Sequence, residues 1–169
     1  MKPGSTLASK LIRIGASLLA VALASISLTL WVTWQLEGGA AAVNEAGRMR
    51  MQTWRLVSTV QTEHQPGDVL SLVNQFDQSL ALLRSGDAAR PLFVPWDESV
   101  SRQFTRVESI WLHQRGQWLN GEHIPPSDAI AATSEFVHAI DGFVLAIEHQ
   151  LSRLTAILNL SQFVMMVLA

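Results

Sequence analysis

The sequence predicts an all-α protein: an up-down-up-down four-helix bundle flanked by two transmembrane helices, the second truncated. Three observations carry this. Apolar runs free of charge lie near both ends of the chain. Between them, apolar residues recur at helical spacing in segments broken by proline and glycine. No segment sustains the apolar–polar alternation of a half-buried strand. Composition agrees: of 169 residues 49% are hydrophobic and 15% charged, an excess that points to membrane segments. The net charge of -2 argues against a nucleic-acid partner, and the lack of cysteine excludes disulfides and thiolate metal sites.

Residues 1–13, with Lys2, Lys10 and Arg13, read as a cytoplasmic N-terminus. Ile14 to Trp34 follows without a charge. At about 1.5 Å per residue it measures roughly 31 Å, enough to cross a bilayer core of about 30 Å. Trp31 and Trp34 sit at its far end, where amphipathic rings favour the interface. A cleaved signal peptide is the rival, with Ala40-Ala41-Ala42 as cleavage site, but a signal core of about 7 to 15 residues is shorter than this run. The basic residues put residues 35–153 on the outer side of a bacterial inner membrane. Residues 154–169 again carry no charge but fall short of the about 20 residues of a full span. The chain is therefore expected to be the front piece of a longer protein, with a short tail docked on the bilayer as the alternative.

Within 35–153 the first helix is expected to continue through Gly38 and Gly39 to about His64, where Pro66-Gly67 breaks it. Asp68 can cap a second helix carrying Val69, Leu70, Val73, Phe76, Leu80 and Leu83, which Ser85-Gly86-Asp87 ends. Ala88 to Trp96 holds Pro91 and Pro95 and reads as a loop whose Leu92, Phe93, Val94 and Trp96 plug the bundle. A third helix runs from about Asp97 to Trp118, with Phe104, Val107, Ile110 and Trp111. After Asn120-Gly121 and Pro125-Pro126, Ser127 or Asp128 caps a fourth. It repeats without a slip through Ile130, Thr133, Val137, Ile140, Val144, Ile147, Leu151, Leu154 and Leu158. The first and last helices pass into the membrane runs, so the pair can carry a displacement across the bilayer.

One stretch, VNEAGRMRMQTWRL (43–56), raises a chemical question. Val43, Gly47, Arg50, Trp54 and Val57 follow a 4-3-4-3 spacing and share one helix face. A lone guanidinium in a packed seam costs several kcal/mol unless something pairs with it, by order of magnitude. Glu45 is on another face and Glu63 is turns away. Gly47, three residues before Arg50, itself costs roughly 1 kcal/mol relative to alanine and needs a reason such as close approach of a backbone or ligand. Two explanations stay open. Arg50 snorkels to the surface or pairs with Asp141 or Glu148 of the fourth helix. Or its fork binds a planar oxyanion such as carboxylate or nitrate, bridging two copies of the chain and coupling ligand to helix arrangement. Arg48 and Arg55 lie off this stripe and are expected to be solvated.

These residues resemble the P-box of the periplasmic sensor domains of NarX/NarQ-type nitrate/nitrite sensor histidine kinases, a module shared with type IV pilus methyl-accepting chemotaxis transducers. The family pattern is roughly Asn-x-Ala-Gly-x-x-Arg-Met-x-x-aromatic-Arg, supplied here by Asn44, Ala46, Gly47, Arg50, Met51, Trp54 and Arg55. PLFVPWD (91–97) and FVHAIDGFVLAIE (136–148) look like the family's third-helix approach and fourth helix. The resemblance implies a periplasmic bundle that dimerises along its first and last helices. It implies one nitrate or nitrite on the dimer axis at Arg50, with Gly47 and Met51 lining the site. It implies a lengthwise helix shift that sets a kinase, whose catalytic domain and response-regulator partner lie beyond residue 169. Arg48, where the family has a small polar residue, and Met49, where it has leucine, depart from the pattern and leave the choice between nitrate and nitrite open. A chemotaxis transducer with the same sensor, or a non-sensory membrane-anchored scaffold, are the alternatives.

Other chemistry is thin. The five histidines, His64, His113, His123, His138 and His149, lack the spacing of a metal site. Asp141 and Glu148 share a helix face but read as surface charges. No phosphate loop, nucleophile elbow or dinucleotide motif is present, so neither a cofactor nor an enzyme activity is expected within these residues.

Overall fold

The computed structural model describes residues 7–62, 66–87, 89–120 and 124–168. The expected turn residues Glu63 and His64, together with Lys2, Gly121 and His123, lie outside them. Four helices follow in order: α1 (Leu7–Gln61), α2 (Pro66–Ser85), α3 (Glu98–Leu119) and α4 (Pro126–Leu168). No strand forms among the described residues; one isolated bridge joins Asp87 to Leu92.

The boundaries follow from local chemistry. α2 and α4 each open on proline, whose fixed φ suits a first helical position and whose missing N–H is no loss there. This corrects the expected caps. Asp68, Ser127 and Asp128 all lie inside the first turn, where the two carboxylates complement the helix dipole. Asp97 does cap α3: its Oδ1 accepts the Val100 N–H at 2.8 Å. α2 stops at Gly86, whose φ of 73° favours glycine.

The chain divides into two compact units, one of residues up to Gln35 together with those from Ser152 on, the other Leu36–Leu151. In the first, large apolar side chains such as Leu19, Leu30, Leu160 and Phe163 are exposed. Among the described residues, α1 and α4 are the two helices long and apolar enough to cross a membrane, by length and composition. Gln162 Nε2 donates to Thr29 Oγ1 at 3.4 Å within this unit.

The second unit is the four-helix bundle. α1 and α4 run antiparallel, with Leu151 opposite Gly39 and Asp141 opposite Arg50. α2 and α3 pair Asp77 with Trp111 and Arg115. α3 and α4 pair Phe104 with Phe143, and Gln114 with the Ala132 carbonyl. Aromatic rings tie three helices together: Phe76 stacks on Trp111 at 3.9 Å between centroids, and both rings meet Phe136. Leu92 and Val94 of the α2–α3 loop are buried as the plug expectation has it, whereas Trp96 stays exposed, its ring edge-on to Phe104. Leu70 and Ile130, placed with the core by spacing, are exposed because the buried stripes of their helices run instead through Leu72, Val73 and Phe76 and through Ala129, Thr133 and Phe136.

α1 differs most from expectation. Its inward stripe is Ala42, Ala46, Met49, Thr53 and Leu56, all at most 1% exposed. That set has the same 4-3-4-3 spacing as Val43, Gly47, Arg50, Trp54 and Val57, moved by one residue. Arg50 and Trp54 therefore lie outside the core, and only Val57 of the expected stripe is buried. The guanidinium never enters an apolar seam, so its cost there does not arise.

Candidate functional site

The outer face of α1 gathers most of the motif. At about 100° per residue, Val43, Gly47, Arg50, Met51 and Trp54 fall within an arc of roughly 100°. Met51 is 56% exposed and Trp54 47%, two large apolar side chains one turn apart. Asn44 and Arg55 are exposed at the edge of this arc. Ala46 is not part of it: it is fully buried, and serves as a small residue that lets α1 approach the core.

Arg50 stands at the α4 edge of the face. Its Nη1 donates to Asp141 Oδ1 at 2.7 Å, with the two side chains 45% and 37% exposed. Its Nη2 rests over Gly47, 3.6 Å from where a Cβ would stand, an ordinary contact distance, so the guanidinium folds back along its own helix in a place that an alanine would also leave open. Of the two explanations the sequence left open, the pairing with Asp141 is present in this single chain. Planar oxyanion chemistry is also on view, since the Asp141 carboxylate is one. Glu148, the other acid considered, lies exposed two turns further along α4.

The opposite edge of the same stretch holds a feature the sequence reading missed. Glu45 is buried, and Arg48 Nη2 donates to its Oε1 at 2.6 Å and to the Ser79 hydroxyl of α2 at 3.4 Å. That hydroxyl donates to Gln52 Oε1, also buried, at 3.4 Å. Arg48 is therefore not simply solvated; it neutralises a buried carboxylate, which would otherwise be costly. The available signal was the i, i+7 placement of Glu45 and Gln52 with Arg48 between them, all on the face toward α2. An arginine committed in this way is not a second cation for a ligand at Arg50.

Elsewhere the chemistry is modest. A cleft of about 170 Å³ between α2 and α3 is lined by Asp77, Leu80, Arg84, Glu108, Trp111 and Leu112. Its charges are already paired, Arg84 with Glu108 and Asp77 with Arg115 and the Trp111 indole N–H. Among the described residues no group of three or more His, Asp or Glu is placed to hold a metal ion.

A family model of the type IV pili methyl-accepting chemotaxis transducer N-terminal region, PilJ, matches residues 31–136. The chain belongs to this family. The PilJ match takes in the whole outer face of α1, α2, the plugging loop, α3 and the opening of α4, and so places the chain among signal-transduction proteins. It corresponds to the module that the resemblance assigned jointly to pilus transducers and NarX/NarQ-type sensors, without singling out the latter. No curated protein matches the chain.

Proposed function

We propose that this PilJ-family chain is the sensory input of a membrane-anchored transducer, dimerising along the outer face of α1 and reading nitrate or nitrite at Arg50. The observation that carries the proposal is the half-exposed guanidinium seated over Gly47 beside Met51 and Trp54. Two large apolar side chains next to a cation suit contact with a second copy, in which two Arg50 side chains approach and repel until an anion bridges them. α1 and α4, long and apolar enough to span a bilayer, would anchor the sensor, with residues 36–151 in the periplasm of an inner membrane and the signal passed as helix displacement. The family description favours a methyl-accepting transducer as the output. A histidine kinase signalling to a response regulator is the second reading, and rests on the P-box resemblance.

The chain has no cysteine, so a single Met51→Cys variant reports on the dimer directly. Mild oxidation of the full chain in lipid bilayers should link Met51→Cys into dimers and leave Leu112→Cys, exposed on α3, unlinked. Nitrate, and not chloride, should change the Met51→Cys yield, and adding Arg50→Ala should remove that response. Equal yields from the two cysteine positions would rule out the dimer face, and a yield indifferent to nitrate would rule out the anion.

A further inference from the structure

We propose that Asp141 is a built-in competitor for the ligand at Arg50: its carboxylate holds the guanidinium until an anion displaces it, and so sets the affinity of the site. The inference rests on the anion reading above and adds a residue from α4 to it.

The chemistry is that of like replacing like. A carboxylate and a nitrate are both planar oxyanions suited to a guanidinium fork. In this chain one arm of the fork, Nη1, is taken by Asp141 Oδ1 at 2.7 Å, while Nη2 lies over Gly47. An incoming anion that uses both arms must first move the carboxylate away. Arg48 offers no alternative cation to Asp141, because it is engaged with Glu45 and Ser79 on the far edge of α1.

The exposure of the pair sets the strength of this competition. A buried pair would lock the arginine and close the site. With 45% and 37% of the two side chains open to solvent, the pair is a weak, water-exchanged one. Such a pair occupies the guanidinium half the time or more and lowers the apparent affinity for an anion by about two- to sixfold.

The exchange also does something an ordinary counterion cannot. Asp141 belongs to α4 and Arg50 to α1, so the pair is a tie between the two helices that continue into the apolar segments. Displacing Asp141 unties them, so ligand occupancy and the α1–α4 tie exclude one another. A ligand with unequal affinity for tied and untied arrangements shifts the balance between them.

The test is calorimetric titration of sodium nitrate into the full chain in mild detergent, with chloride holding ionic strength constant. Asp141→Asn should bind nitrate about two- to sixfold more tightly than the native chain, Asp141→Glu should restore native affinity, and Arg50→Ala should not bind. Binding by Asp141→Asn alone, with the native chain silent, also supports the competitor. If Asp141→Asn binds no more tightly than the native chain while Arg50→Ala abolishes binding, Asp141 is not a competitor and the anion site stands without it. If neither the native chain nor Asp141→Asn binds nitrate, the anion reading fails and this inference with it.

Discussion

The ring of Phe93 fills the space that a side chain at Gly38 would need: a Cβ there would stand 2.1 Å from Phe93 Cε1. The Phe93 N–H also donates to the Gly38 carbonyl at 3.4 Å, so the α2–α3 loop is fastened to α1 at this notch. Gly38→Ala should therefore destabilise the bundle by about 1–3 kcal/mol through overpacking, despite the roughly 1 kcal/mol that alanine gains over glycine in a helix. Denaturant unfolding followed by circular dichroism measures it. Combining Gly38→Ala with Phe93→Ala should cost less than the sum of the two single changes; strict additivity would show that the ring and the glycine are not coupled.

Phe76 lies at the crossing of α2, α3 and α4, stacked on Trp111 and in contact with Phe136. Truncation to alanine leaves a cavity that three packed helices cannot close, at a cost of about 3–5 kcal/mol. Leu70→Ala, on the same helix but exposed, should fall within about 0.5 kcal/mol of the native chain. Similar losses from the two would mean that the aromatic cluster is not the centre of the bundle's stability.

The Arg50–Asp141 pair should contribute little to folding. Half exposed, it belongs to the class worth about 0–1 kcal/mol, so Arg50→Ala should unfold within about 1 kcal/mol of the native chain. A loss several times larger would make Arg50 a structural residue and weaken the case for a ligand there.

The pair on the other edge of α1 should behave differently. Arg48→Ala strands the buried Glu45 carboxylate and should cost about 1–3 kcal/mol. Adding Glu45→Gln removes the stranded charge, so the double variant should be more stable than Arg48→Ala alone. A double variant less stable than the single one would show that Glu45 is neutralised by something other than Arg48.

The helices and their breaks were legible because each rests on local rules. Pro66-Gly67, Gly86 and the prolines of the loop punctuate the chain wherever it turns, and Asp97 caps where it stands next to a helical run. The rotation of α1 was not legible. Two stripes one residue apart have identical spacing, and periodicity gives a repeat without its phase. Which stripe turns inward is settled by tertiary contacts: Ala42 and Ala46 admit close packing, and Arg48 with Gln52 meets Ser79 across the interface with α2. Of the motif, Gly47, Arg50, Met51 and Trp54 share the outer face of α1, while Ala46 turns into the core. The α4 contribution to Arg50 had been visible only as one of two candidate acids, since nothing in the sequence fixes how far along α4 the arginine reaches.

The polar layer of Glu45, Arg48, Gln52 and Ser79 has a mechanical consequence. A one-turn slip of α1 along α2, about 5.4 Å, would carry Arg48 and Gln52 away from Ser79 and toward Phe76 or Leu83, the buried apolar neighbours one turn to either side. Glu45 keeps Arg48, its partner on the same helix, but the buried Gln52 amide loses the Ser79 hydroxyl, at a cost of about 1–3 kcal/mol. α1 and α2 thus engage like a key in its ward, with one favoured register. Lengthwise travel of this bundle is therefore favoured at the interfaces that carry no such polar layer.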